Sequence, residues 1–221
     1  MNREDFKNIL AVTASISTIL QFLAGTLICQ KIVQKKSTGD ISGLPFVSGF
    51  LSTSLWLRYG FLIGDHSLIL VNTVGATLHF SYAVVFYMYS IKKTIILRQF
   101  FGSVSILLMI LAYSVYESNK DVSIKYVGFL CCVMTIMFFA APLTSLLYVI
   151  KVKSAESLPF PIIFMTFIVS IQWFFYGVLL NDTFIQIPNF LGCLLSAFQL
   201  SLFCIYTKSP TAQGYTSVQN F

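Results

Sequence analysis

Residues 56–75 read WLRYGFLIGDHSLILVNTVG, and residues 173–192 read WFFYGVLLNDTFIQIPNFLG. Trp56, Tyr59, Gly60, Asp65, Asn72 and Gly75 recur as Trp173, Tyr176, Gly177, Asp182, Asn189 and Gly192, at a constant offset of 117 (173 − 56, 192 − 75). The chain has only 2 tryptophans, one in each stretch, so coincidence is a poor explanation for a register held across largely apolar text. Self-similarity at a fixed period marks a duplicated structural unit.

Outward from these stretches the chain stays apolar. It is 57% hydrophobic and 10% charged, against about 25% charged residues in a typical globular domain. A transmembrane helix needs about 20 mostly apolar residues. Seven runs meet that need, approximately Ile9–Cys29, Leu44–Ile63, Leu68–Tyr89, Phe100–Tyr116, Ile124–Val149, Leu158–Leu180 and Phe184–Tyr206. They are apolar throughout, whereas the strands of a membrane barrel alternate polar and apolar in short segments, so helices are expected. The first run is longer than a signal-peptide core and lacks a convincing small-residue cleavage site, so it reads as a retained span.

The net charge of +6 would suggest nucleic acid in a soluble chain; here its placement sets topology instead. Lys31, Lys35, Lys36, Lys92, Lys93, Arg98, Lys151, Lys153 and Lys208 follow odd-numbered spans. Arg3, Lys7, Arg58, Lys120 and Lys125 fall to the other side with most of the acids. The amino terminus is therefore expected outside and the carboxyl terminus in the cytoplasm. The 5 cysteines all lie in expected spans, so they read as packing residues and not a disulfide framework.

The repeats take the first three and last three spans, with the fourth as a linker. The expected fold is all-α, a 3 + 1 + 3 membrane protein. Its parts are a first repeat over 9–89, a linker segment over 90–123, a second repeat over 124–206 and a disordered cytoplasmic tail over 207–221. One intervening span makes the repeats parallel, a plan that transporters use to form a central site between halves. Gly25 stands where the second copy has Pro142, while Pro45 and the Pro159/Pro161 pair lie near the inner starts of the second and sixth spans. Pro45 and Pro159 read equally well as helix starts or hinges; Pro142, inside its span, points to a kink.

Lys-Ser-Thr at 36–38, Leu-Pro-Phe at 44–46, Trp56 to Gly60, Val-Asn-Thr-Val-Gly at 71–75 and Pro-Asn-Phe-Leu-Gly at 188–192 give the chain a family likeness. The pattern resembles the SWEET (MtN3/saliva) sugar transporters, closest to the animal branch, over nearly the whole chain up to Tyr206. The resemblance implies two three-helix bundles that move sugars down their gradient by alternating access, in the plasma membrane or the Golgi. It implies substrate-binding roles for Trp56, Trp173, Asn72 and Asn189, and an inner-side proline set at Pro45, Pro142 and Pro159. The fourth position of that set reads Gly25, which departs from the family pattern although glycine also supplies flexibility.

The residues support the same chemistry independently. A neutral polyol needs faces for its C–H surfaces and paired donors and acceptors for its hydroxyls, and indole with carboxamide supplies both. A polar amide at bilayer depth is costly unless it faces a cavity or a partner. Interhelical glue is the simpler role for asparagine, but equivalent placement in both repeats favours ligand. The tryptophans read either as ligand faces or as interfacial belt residues, the commonest place for tryptophan in a membrane protein. Each lies about seven residues, roughly 10 Å, inside its helix's outer end, which argues only weakly against the belt. Tyr59 and Tyr176, one turn further out, read as gate or belt residues; Asp65 and Asp182 either pair across the mouth or are, more simply, solvated turn residues.

No Asp or Glu falls within the centre of any expected span, which favours uniport over proton coupling. His79 is the one mid-span titratable group and reads first as a hydrogen-bonded packing residue, with a proton relay as the lesser reading. No catalytic cluster, metal site or cofactor is expected; sugar and lipid are the expected partners, nucleic acid is not, and a homo-oligomer is compatible. A PQ-loop-type carrier of another solute would show Pro-Gln and a buried acid, where this chain has Pro188-Asn189. A membrane scaffold with a vestigial pocket would not need the matched Trp and Asn pairs. Tyr215–Val218 fits a sorting signal that arises often by chance, and Asn181-Asp182-Thr183 is a sequon too close to the membrane for modification to be expected.

Overall fold

The computed structural model describes residues 2–206. The chain runs α1 (Arg3–Lys35), α2 (Leu44–Ile63), α3 (His66–Tyr89), α4 (Lys93–Tyr116), α5 (Lys120–Met137), α6 (Ala140–Val152), α7 (Phe160–Leu180) and α8 (Thr183–Ile205). Taking α5 and α6 as one interrupted span, seven helical spans among the described residues are long and apolar enough to cross a membrane. The tail, with Lys208 and Tyr215–Val218, lies outside the described residues.

Equivalent positions of the two repeats end their helices with the same devices. Lys36 and Lys153 close α1 and α6 in the left-handed conformation, at φ 50° and 58°. Gly64 and Asn181 close α2 and α7 likewise, at φ 75° and 56°, a conformation that glycine and asparagine adopt most readily. Asp65 and Asp182 are the N-caps of α3 and α8, Asp65 accepting from the Leu68 N–H and Asp182 from the Phe184 and Ile185 N–H groups, donors that the first helical turn leaves unpaired. These turns define an aspartate end of the molecule; Lys36 and Lys153 mark the opposite, lysine end.

In each repeat the third helix is wedged between the other two: α3 packs on α1 and α2, and α8 on α5 and α7. The repeats meet through α1 against α7 and α2 against α5, the same pairing with the copies exchanged. Linker α4 lies mainly along α2. Arg58 does not reach for the lipid surface as its depth would allow. Its guanidinium instead donates to Ser114 Oγ at 2.9 Å and Ser114 O at 3.1 Å, tying α4 to α2.

The fifth span is not the single helix that Ile124–Val149 suggests. It breaks at Phe138–Phe139, where Phe138 N–H bonds back to Thr135 O at 3.2 Å and Phe139 N–H to Ile136 O at 3.0 Å. Pro142 has no N–H for the Phe138 carbonyl, and its ring crowds that oxygen, so the regular ladder cannot pass through this turn. Gly25 holds the equivalent place in α1, and that helix runs unbroken over 33 residues.

The cores divide in the same asymmetric way. Toward the aspartate end one cluster joins both repeats, with Ala14, Leu55, Tyr59, Val71, Val127 and Trp173 among its members. Toward the lysine end the core splits into one cluster around Ile32, Val47 and Phe86 in the first repeat and another around Val149, Leu158 and Leu202 in the second. The halves are thus bonded together at one end and packed separately at the other.

Candidate functional site

Each repeat delivers one indole and one carboxamide to the contact between the halves. α2 brings Trp56 and α3 brings Asn72; α7 brings Trp173 and α8 brings Asn189. All four line one cavity of about 200 Å³, together with Thr18, Gln21 and Thr135. Among the described residues, no charged side chain lines it. Asn72 Nδ2 donates to Leu68 O at 2.9 Å and Asn189 Nδ2 to Ile185 O at 2.8 Å, one turn back in each helix. Each amide keeps one N–H and its carbonyl oxygen for another partner. Pro188 leaves the Phe184 carbonyl without its helical donor, and Cys132 Sγ takes it at 3.1 Å.

Trp173 is buried and Trp56 half-buried. Trp56 Nε1–H donates to Thr135 Oγ1 at 3.1 Å and Trp173 Nε1–H to Thr18 Oγ1 at 2.8 Å. Toward the aspartate end the tyrosines stand edge-on against these rings, with centroids 5.7 Å apart for Trp56–Tyr59 and 5.4 Å for Trp173–Tyr176. The Tyr59 hydroxyl then donates to Asp182 Oδ2 at 2.6 Å, and the Tyr176 hydroxyl to Asp65 Oδ2 at 2.6 Å. Both bonds cross between repeats. A wide vestibule of about 1010 Å³, reached by Lys7, Asp121 and Lys125, opens beyond them. Each aspartate therefore both caps its own helix and accepts a hydrogen bond from a tyrosine of the other repeat.

The remaining singled-out residues sit toward the lysine end and do not line the central cavity. Pro45 is exposed in the first turn of α2, and Pro159 is exposed at the N-cap of α7. Pro142 and Pro159 border a second cavity of about 240 Å³ inside the second repeat, with Ser196 and Gln199. The first repeat has His79 and Tyr82 at those two positions, and their rings take up the space: Tyr82 presses on Gly25 and His79 on Gly49. His79 Nδ1 is bonded to Gly75 O at 2.8 Å and its ring meets Phe22 edge-on.

Thr18, Thr135 and Gln21 were not singled out from the sequence. A signal for the threonines exists, since they too are 117 apart (135 − 18). Gln21 has no such partner; its equivalent is Phe138, and its Nε2 donates across the repeats to Thr166 Oγ1 at 2.9 Å.

A membrane carrier made of two parallel three-helix repeats, enclosing an uncharged aromatic and amide cavity at their contact, is the class that this fold and site define. Residues 8–94 and 125–211 each match a family model described as sugar efflux transporter for intercellular exchange. The chain is 50% identical over 216 residues to the sugar transporter SWEET1 of Drosophila pseudoobscura pseudoobscura, covering 96% of this chain and 95% of that one. It is 31% identical to the SWEET1 of Xenopus tropicalis, over 94% of this chain and 98% of the relative. The 3.7 Å structure of a eukaryotic SWEET transporter superposes with a TM-score of 0.84 at 28% identity, covering 92% of this chain and 100% of that chain. The chain belongs to the SWEET family of sugar transporters, on its animal branch, a family of carriers and not of enzymes.

Proposed function

We propose that this protein carries a neutral sugar passively across its membrane, holding it between Trp56, Trp173, Asn72 and Asn189. The observation that carries the reading is the shared cavity: equivalent residues of both repeats line one uncharged chamber at the contact of the halves. A cavity of about 200 Å³ at this contact takes a ligand of at least one pyranose ring, and we read that ligand as a monosaccharide such as glucose.

Tyr59, Tyr176, Asp65 and Asp182 form the gate at the aspartate end, closed in this state by the two reciprocal hydrogen bonds. Pro45, Pro142, Pro159 and Gly25 serve the gate at the lysine end, where the two repeats have separate cores. The excess of lysine and arginine there supports reading that end as cytoplasmic, with the amino terminus outside. Residence in the plasma membrane or the Golgi rests on the family likeness alone.

The test is uptake of labelled glucose into proteoliposomes. Asn72→Ala and Asn189→Ala, each checked for monodisperse folding, are expected to lower uptake at least about ten-fold, as expected when a site built to bond hydroxyls loses a partner. Imposing a pH gradient leaves the wild-type rate unchanged, and His79→Gln still transports. Normal uptake by either asparagine variant sinks the site; acceleration by the gradient sinks uniport.

A further inference from the structure

The indole nitrogens of the central cavity are already committed. Trp56 bonds to Thr135 and Trp173 to Thr18, at 3.1 Å and 2.8 Å. Each threonine hydroxyl in turn donates its own proton one turn back along its helix, Thr18 to Ala14 O at 2.7 Å and Thr135 to Cys131 O at 2.9 Å. A hydroxyl has a single proton and two lone pairs, while indole nitrogen only donates. With its proton spent on the backbone, each threonine offers the ring an acceptor and nothing else. The direction of both relays, indole N–H to hydroxyl to carbonyl, is thereby fixed.

The bonds also cross the molecule. Thr18 on α1 receives the tryptophan of α7, and Thr135 on α5 receives that of α2, so each repeat orients the other's ring. A side chain held at one edge by such a bond and against a tyrosine on the next turn has little freedom to rotate.

We propose, on the reading of this cavity as a sugar site, that Thr18 and Thr135 are positioning residues that pin the two indoles, so that the sugar meets ring faces and never an indole N–H. Recognition then divides by chemistry. The tryptophans read the C–H faces of the pyranose, while hydroxyl groups are read by Asn72, Asn189 and the free carbonyl oxygen of Gln21, which lines the same cavity. The ligand class is a pyranose with enough uninterrupted C–H surface to lie against indole, in preference to a linear polyol, which presents the same hydroxyls without a fixed face.

The experiment compares Thr18→Val, Thr135→Val and the corresponding serine variants in purified full-length protein. Because Trp56 and Trp173 are the only 2 tryptophans, the resonance Raman marker for indole N–H hydrogen bonding reports on these bonds directly, without sugar. Valine keeps the shape of threonine and removes the acceptor, so the marker is expected to move to its unbonded position in each valine variant and return in each serine variant. In proteoliposomes the half-saturation concentration for glucose is expected to rise about three- to ten-fold in the valine variants, the range that one hydrogen bond's net worth corresponds to. The maximal rate stays within about two-fold, and serine restores the affinity.

An unmoved marker overturns the proposal, because the bonds are then absent. A moved marker with unchanged half-saturation also overturns it, as does a loss confined to the maximal rate, which assigns the threonines to gating. A wild type that takes up no sugar defeats the sugar reading by itself, and with it the ligand assignment, while the marker still decides whether the threonines hold the rings.

Discussion

The Tyr59 hydroxyl of the first repeat and the Asp182 carboxylate of the second are joined at 2.6 Å, and Tyr176 with Asp65 makes the same bond with the repeats exchanged. Both tyrosines are almost wholly buried, at 1% and 4% exposure, so the bonds sit inside the joint between halves. The carboxylates are fixed independently, since each also caps a helix. The two bonds therefore connect rigid helix ends, and any separation of the two repeats at the aspartate end requires breaking both.

Removing these hydroxyls is expected to free that end. Hydrogen bonds to a charged group contribute about 1.5–3 kcal/mol each, enough together to shift a two-state population by orders of magnitude. In Tyr59→Phe/Tyr176→Phe the rings and their contacts with tryptophan remain, and the helix caps are untouched. A cysteine introduced at Val169, which lines the central cavity behind these bonds, should then react with a membrane-impermeant thiol reagent added at the aspartate end at least about ten-fold faster than in the wild-type background. Unchanged reactivity would show that the bonds do not hold the end shut.

A second prediction comes from comparing the repeats residue by residue. Gly25 faces Tyr82 in the first repeat, where the ring leaves no room for a Cβ; the equivalent pair in the second is Pro142 with Gln199, whose Nε2 donates to Pro142 O at 3.3 Å. Gly25→Pro is expected to destabilise the protein by more than the roughly 3 kcal/mol of a proline inside a helix, since the ring collides with Tyr82. Tyr82→Gln in the same chain copies the second repeat and should recover part of that loss. Thermal unfolding of the two single variants and the double supplies the coupling. Strictly additive losses would mean that the two positions do not share this space.

The 3 + 1 + 3 plan was legible because lipid demands long apolar helices and because the motif from Trp56 to Gly75 repeats without a shift. The break before Pro142 was legible for a backbone reason, the missing N–H. Helix ends were less so: α1 extends from Arg3 to Lys35, beyond the apolar run Ile9–Cys29, since hydropathy marks the lipid-facing length and not the capped polar turns on either side. That Trp56, Asn72, Trp173 and Asn189 meet at one cavity was legible because they are repeated, polar or aromatic outliers in apolar text. Thr18 and Thr135 were not, because threonine in an apolar helix is ordinarily back-bonded and silent. What makes these two different is that an indole from the other repeat lies against them, a relation that exists only after the helices pack. The Tyr–Asp pairs are hidden for the same reason, each partner having an adequate local explanation alone.

The break in the fifth span leads to a final prediction about rate. Proline at position 142 deprives the Phe138 carbonyl of its helical donor, and the two turns on either side are joined only by short i→i−3 bonds at Phe138 and Phe139. The segment beyond it, α6, borders the 240 Å³ cavity of the second repeat, whereas the first repeat fills its corresponding interior with His79 and Tyr82. An interrupted helix beside empty space bends at low cost; an unbroken one beside packed rings does not. Pro142→Ala restores the missing N–H and allows α5 and α6 to join, so the protein is expected to become more stable, by up to about 3 kcal/mol if the helix closes fully. Position 142 lies outside the central cavity, so equilibrium binding of glucose should change by less than about three-fold, while the maximal transport rate falls at least about five-fold. Binding measured by calorimetry and uptake measured in proteoliposomes separate the two quantities. If the alanine variant transports at the wild-type rate, bending at Phe138–Phe139 is no part of the cycle, and the motion of the lysine end has to be sought in the turns before α2 and α7 instead.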